Sequence, residues 1–335
     1  MSADSALIGR LDAFLAPHGT TREMIVAAVG EPYGRPLLVV ATGSILHGYG
    51  NERSDIDINV VVERNVTQLP IPTFSQGVLL DTAYFGASEV KDWADVIRDQ
   101  PWPPPGNFDR KLWRRSSSDL FRCTRLGYGL ALTARDGWDG WMAEFREPWL
   151  AERVAHWWRI ESARRQLGGR WLADAKPLLA AQRQFEAVLA ALESRAASAG
   201  HPHSGPKWLS EKLRTLGDDE GLAVLREVMR APVTEQEARG YIAQCEALLA
   251  ELVGSHDGLA AQLWYLPGVK LRKLDARTLV SRWDMRGIEL RGEVPGVPDP
   301  SKPIWEGGLD VPPPSNVLSL FTEDMTWLSI VARAT

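Results

Sequence analysis

The spacing of apolar positions changes several times along the chain. Leu7, Leu11, Phe14 and Leu15 recur at helical intervals, so residues 5–30 predict one or two helices. Short apolar runs follow. Residues 37–41 (LLVVA), 55–62 (DIDINVVV) and 77–85 (GVLLDTAYF) predict strands of a mixed sheet, with 69–72 (LPIP) as a loop. Residues 89–100 read as a helix, stopped by the Pro-rich run 101–106. A helix over 111–125 and strand-like residues over 126–136 lead to a turn at Asp136-Gly137. Beyond Trp141 the helical period dominates, and 148–166, 172–199, 208–216, 219–230 and 234–253 predict a bundle. Thr234 and Glu237 have the spacing of a capping box, and Gly200 ends the long helix. Residues 262–308 return to strand-like patterning with Pro and Gly turns. The fold class expected is α+β: a mixed β-sheet with helices over 1–140, an α-helical bundle over 141–256, and a small β-rich extension over 257–335. The extension offers a cover for a cleft or a surface for a homodimer.

Composition narrows the class. At 335 residues the chain is long enough for about two domains, and 44% hydrophobic with 24% charged residues suits a soluble globular protein. The net charge of −5 gives no global basic field, which disfavours nucleic acid, although a local basic groove can hide in the average. Cys123 and Cys245 are too few for a disulfide framework and have no metal-ligand spacing, so a reducing compartment is expected. The N-terminus lacks the pattern of a signal peptide, and no apolar run reaches about 18 residues. A cytoplasmic protein without a membrane partner is the expectation. The 14 Trp residues are scattered, as core or pocket-wall residues would be.

The chemistry concentrates in 38–62, LVVATGSILHGYGNERSDIDINVVV. Asp55 and Asp57 are two residues apart at the head of a strand, so they share a face while Ile56 and Ile58 face a core. Adjacent carboxylates repel, and a divalent cation would relieve them. Gly43-Ser44 follows an apolar strand at the point where a short helix can begin. Glycine permits close approach of a ligand, and Ser44 offers a hydroxyl beside free N–H groups, a phosphate site. Asp81 interrupts another apolar strand, where an unpaired charge is costly.

Gly-Ser, a gap of about ten residues and an Asp-x-Asp flanked by apolar residues resemble the signature of the nucleotidyltransferase superfamily. A sheet domain followed by a bundle is similar to the aminoglycoside and other small-molecule nucleotidyltransferases. The resemblance implies a nucleotidyltransferase-type sheet and a metal triad of Asp55, Asp57 and Asp81, with two Mg²⁺ ions. Asp81 would bind one ion or act as the base for the acceptor's proton. It also implies a nucleotide-binding set of Gly43, Ser44, Arg53, Ser54 and Lys207, with ATP or another nucleoside triphosphate as co-substrate. The activity implied is transfer of a nucleoside monophosphate, AMP from ATP first, to a hydroxyl of a small molecule with release of pyrophosphate. Transfer to a protein target, or a non-catalytic binding or antitoxin module, are the alternatives. His47 stands where many members carry a basic residue, and Arg53 could supply the missing charge.

Other residues have two readings each. Lys207, after Gly205-Pro206 at a helix head, is either a cation aimed at the triphosphate or a solvated lysine; Trp208 beside it suits a core better than a base-stacking platform. His201 and His203 read as loop residues rather than a metal pair. Arg114 and Arg115 read as a solvated helix face rather than a phosphate site. Glu161 is either an acceptor-side base or the partner of Arg164 or Arg165 in a surface salt bridge.

Overall fold

A computed structural model describes residues 3–30, 32–33, 35–64, 66, 71–203, 205–253, 256–275, 277–283, 286–291, 294, 298–299 and 301–333. The architecture is α+β. In chain order it contains α1 (Ala3–Leu15), α2 (Arg22–Gly30), β1 (Leu38–Thr42), α3 (Ser44–His47), β2 (Ile56–Val62), β3 (Ile71–Ser75), β4 (Val78–Gly86) and α4 (Ala87–Asp99). Next come α5 (Arg110–Tyr128), β5 (Leu130–Ala134), α6 (Trp138–Phe145), α7 (Pro148–Leu172), α8 (Pro177–Ser198), α9 (Leu209–Leu216), α10 (Asp219–Val228) and α11 (Glu235–Val253). The C-terminal part holds β6 (Leu259–Tyr265), β7 (Val269–Leu274), β8 (Arg277–Arg282), β9 (Arg286–Arg291), β10 (Trp305–Gly308), α12 (Ser315–Thr322) and β11 (Thr326–Ala332). None of the described helices is long and apolar enough to cross a membrane.

Two compact units share the chain through interleaved segments. One is made of residues 1–99, 118–154 and 200–211; the other of 100–117, 155–199 and 212–335. Compactness therefore divides the chain differently from element order, which groups 1–140, 141–256 and 257–335.

The first unit is built on a five-stranded sheet of order β3-β4-β2-β1-β5. β2 and β4 run parallel and the other neighbours antiparallel. β2 is central and apolar almost throughout, as a strand covered on both faces must be. β4 alternates: Val78, Leu80, Thr82 and Tyr84 are buried, with Leu79, Asp81, Ala83 and Phe85 on the other face. The first face packs with Leu11, Leu15, Ile25 and Val29 of α1 and α2, joined by Ile56, Ile58 and Val60 of β2. Asp57 and Asp81 fall on the opposite face. Ile71 and Pro72, read from sequence within a loop, lie in β3. This is an edge strand, where a proline costs no ladder hydrogen bond on its open side. The rest of that expected loop, Leu69-Pro70, falls outside the described residues.

The second unit joins helices to two three-stranded sheets, β10-β6-β11 and β7-β8-β9. Ile160, Ala163 and Leu167 of α7 form a core with Ala261, Leu263, Val317, Leu328 and Ile330. Val269, Val280 and Leu290 of the other sheet pack with Leu320 and Met325. The extension is thus larger than the strand pattern of 262–308 suggests, because α12 and β11 belong to it. Deep in the unit, Lys212 Nζ meets Glu193 Oε2 at 2.5 Å with both side chains almost fully buried. Burial pushes the Glu193 carboxyl up and the Lys212 ammonium down, in each case against the pull of the partner. Cys123 and Cys245 are buried free thiols, pushed up to about 12 and about 11 by burial, so neither is a reactive thiolate.

The capping box forms as its spacing predicts. Glu237 N–H donates to Thr234 Oγ1 at 3.2 Å, and Glu237 Oε2 accepts from the N–H groups of Thr234 and Val233 at 3.0 Å each. These backbone bonds hold the Glu237 carboxyl below its ordinary value. Their stabilisation is present above the unfolded carboxyl pKa and is lost as pH falls through the lowered folded one. Thr234→Ala should cost about 1 kcal/mol in urea unfolding at neutral pH.

Candidate active site

Sheet register assembles the acidic residues. Asp57 lies opposite Asp81 on the parallel neighbour β4 and opposite Thr42 on the antiparallel neighbour β1. Side chains opposite one another share a face, so Thr42, Asp57 and Asp81 form a row across three strands. Asp55 stands just before β2 and is exposed. Burial pushes the Asp57 carboxyl up; Arg125 opposes this, Asp55 and Asp81 add to it, and Lys207 opposes it. Two acids and two cations thus act electrostatically on one half-buried carboxylate.

Gly43 brings the backbone against that carboxylate. It has φ 99° and ψ −174°, a region open essentially to glycine alone, as it enters the short helix α3. A Cβ at Gly43 would stand 2.5 Å from Asp57 Oδ2. Ser44 is half-buried, and its carbonyl accepts from the N–H groups of Tyr49 and Gly50 at 2.9 and 3.0 Å, closing the turn after α3. The next turn is closed by Ser54, whose Oγ accepts from Asn51 N–H at 3.0 Å, and by Arg53 N–H, which donates to Asn51 Oδ1 at 2.9 Å. Arg53 is exposed there.

Rings tie the 200–211 segment to this turn. The His47 ring is 4.3 Å from that of His203, and Tyr49 lies 6.0 Å from Trp208 in a stacked arrangement. Tyr49 Oη and His201 Nδ1 are 3.4 Å apart. His47 therefore acts as a packing surface for the loop that carries Lys207. Lys207 Nζ lies 4.8 Å from the centre of the Trp208 ring, an arrangement that holds the ammonium by its attraction to the ring face. Trp208 is half-buried.

Two residues of this site were not singled out in the sequence. Arg125, in the last turn of α5, has Nη1 3.9 Å from Asp57 Oδ1. Gly129 seats that end of the helix on the sheet, since a Cβ there would fall 2.3 Å from Val40 Cγ1 and 2.7 Å from the Ala41 carbonyl oxygen. The signal was available in principle, as a Gly-Tyr-Gly closing an arginine-rich helix before a strand. Thr42 is the second: it is 1% exposed, and its Oγ1 has no hydrogen-bond partner among the described residues. Such a buried hydroxyl costs about 1–3 kcal/mol unless a ligand or water completes it.

Glu161 lies elsewhere, in the second unit. Burial pushes its carboxyl up, but Arg164 and Arg165 outweigh this and hold it below its ordinary value. Both guanidiniums approach Glu161 Oε1 to 2.5 Å, so the salt-bridge reading holds, with the acid buried rather than on the surface.

The hard oxygen donors and the mutual repulsion of Asp55, Asp57 and Asp81 fit Mg²⁺. Among the described residues, no three His, Cys, Asp or Glu side chains are gathered so as to hold a metal ion unaided. This is compatible with Mg²⁺, which commonly takes one or two carboxylates and completes its shell with phosphate oxygens and water.

No family model matches the chain, and no curated protein matches it. Among solved structures, the chain is similar to a nucleotidyltransferase-like protein from Exiguobacterium sibiricum 255-15. The identity is 13% and the TM-score 0.39, over 70% of this chain and 75% of the other. At that level the likeness says nothing about residues or chemistry.

Proposed function

We propose that the chain is a magnesium-dependent nucleotidyltransferase that moves a nucleoside monophosphate, AMP from ATP first, to a hydroxyl of a small molecule and releases pyrophosphate. The observation that carries this reading is the row of Asp57 and Asp81 beside Gly43, with Asp55, Arg125 and Lys207 acting on the same carboxylate. Acids and cations so arranged suit a substrate that brings both a cation and phosphate charge.

In this reading Asp55 and Asp57 would hold the metal together with phosphate oxygens and water, Asp81 joining them or serving as base; when bound, the metal would supply Lewis-acid stabilisation of charge at the phosphates. Gly43 leaves room for the nucleotide to approach the backbone, and Ser44 binds phosphate. Lys207 and Arg125 neutralise the negative charge of the triphosphate, on binding as well as when pyrophosphate departs. Asp81, if it is not occupied as a ligand, takes the acceptor's proton. Arg53 and Ser54 flank the same turn and complete the phosphate-side set.

The test is titration of ATP with and without Mg²⁺, followed by pyrophosphate release against a panel of hydroxylated small molecules. Metal-dependent binding with acceptor-dependent release supports the proposal. Metal-dependent binding with no release against any acceptor would assign the chain to the non-catalytic binding modules. Within the same assay, Lys207→Gln should raise KM for ATP about tenfold, equivalent to ~1.4 kcal/mol, with a smaller change in kcat. An unchanged KM would return Lys207 to the role of a solvated lysine.

A further inference from the structure

The second unit holds a solvent-open cavity of about 390 Å³ lined by α7, α8, α12 and β11, within the size range of small-molecule sites. Its wall presents Arg164, Arg165, Lys176 and Arg183, together with Thr326 and Trp327. The acids that pair with these cations stand outside the wall. Glu161 takes Arg164 and Arg165, Glu186 takes Arg165 and Arg183, and Glu323 lies 3.5 Å from Lys176 Nζ. The acid within the wall, Asp324, is largely exposed and turns to Arg282 at 3.3 Å.

Two further observations point to a ligand. Cations crowd beyond the wall as well: burial, then Arg114, Arg282 and Arg164, hold the Arg110 guanidinium below its ordinary value, with Asp324 opposing. Thr326 is 4% exposed, and its hydroxyl has no hydrogen-bond partner among the described residues. A purely structural ion network would need neither open volume nor an unsatisfied hydroxyl beside it. The aromatic part of the wall is fixed. Arg164 lies 5.1 Å from the Trp113 ring and 5.6 Å from the Trp327 ring, and those two rings are 5.9 Å apart.

We infer that this cavity is a second ligand site, one that takes a small phosphate monoester. Its phosphate lies among Arg164, Arg165, Lys176 and Arg183, and its organic part against Trp327. Several cations around one cavity match a dianion better than a monoanion, and the arginine fork suits tetrahedral oxyanions. The site is independent of the acidic row in the other unit and needs no metal.

Calorimetric titration in EDTA with inorganic phosphate, phenyl phosphate and benzoate tests this. One saturable site is expected, tightest for phenyl phosphate, with Kd raised at least tenfold in Arg183→Gln and unchanged in Lys207→Gln. Both Arg183 and Lys176 are about a third exposed at the side chain, so their replacement leaves the core closed. Lys176→Gln is the second variant if Arg183→Gln melts early, and it should show the same loss. Absence of saturable phosphate or phenyl phosphate binding overturns the inference. So does benzoate binding as tightly as phenyl phosphate, or a loss seen in Lys207→Gln while Arg183→Gln and Lys176→Gln bind normally.

Discussion

Asp57→Asn should lower nucleotidyl transfer by about 10³-fold or more, equivalent to ~4 kcal/mol of transition-state stabilisation, while leaving the protein at least as thermostable at neutral pH. The two halves of this expectation have one cause. Burial and the charges of Asp55 and Asp81 push the Asp57 carboxyl up, against Arg125 and Lys207. A carboxyl whose folded pKa exceeds its unfolded one binds protons more tightly in the native state. Native stability is therefore lower when the carboxyl is ionised in both states, and recovers as pH falls through the raised folded value. Asparagine keeps the shape and removes that charge. Melting curves of wild type and variant should lie furthest apart, in favour of the variant, above the raised pKa and converge below it. A variant that retains transfer would remove Asp57 from the reaction. One that melts well below wild type would make the carboxylate a structural ion-pair member instead.

Gly43→Ala should damage both folding and binding. The backbone at this position costs about 1–3 kcal/mol for any residue with a side chain. The added Cβ would also stand 2.5 Å from Asp57 Oδ2, so the carboxylate or the β1–α3 turn must move. A loss of about 3 kcal/mol or more in urea unfolding is expected, together with loss of metal-dependent ATP binding. A double variant, Gly43→Ala with Asp57→Ala, relieves the overlap but keeps the backbone strain. It should recover part of the stability and none of the binding. Equal stability of the single and double variants would show that the carboxylate does not press on Gly43.

Much of the first unit was legible because its chemistry interrupts its periodicity. Asp57 and Asp81 stand out in apolar strands, and the register that puts them side by side follows from the burial of Ile56, Ile58, Leu80 and Thr82 on one face. Arg125 was not legible, since one guanidinium among several in α5 is selected only by how the helix end seats on β1, a tertiary event. Thr42 is like any strand threonine in the sequence, and only its packing shows a hydroxyl without a partner among the described residues. Helix limits failed where packing overrides local propensity. The helix expected over 148–166 runs on through Gly168-Gly169 to Leu172, with Gln184 Nε2 of α8 donating to the Gln166 carbonyl at 3.1 Å. Strand β11 and helix α12 lay beyond the stretch whose alternation was read, and Pro72 hid an edge strand.

The interleaving of the two units has a consequence for synthesis. The sheet of the first unit can start to form once residue 99 has left the ribosome, but the unit also needs 118–154 and 200–211. Asp57 must therefore wait for Arg125, and longer for Lys207, before either cation can offset its neighbours. At about 5–20 residues per second, the gap between the strands and the last segment spans several seconds. During that interval the nascent sheet carries an acidic row without its cations, and an early divalent ion is the natural stand-in. Under the proposed function, magnesium would then be a folding partner for the emerging chain as well as the cofactor assigned to the finished one.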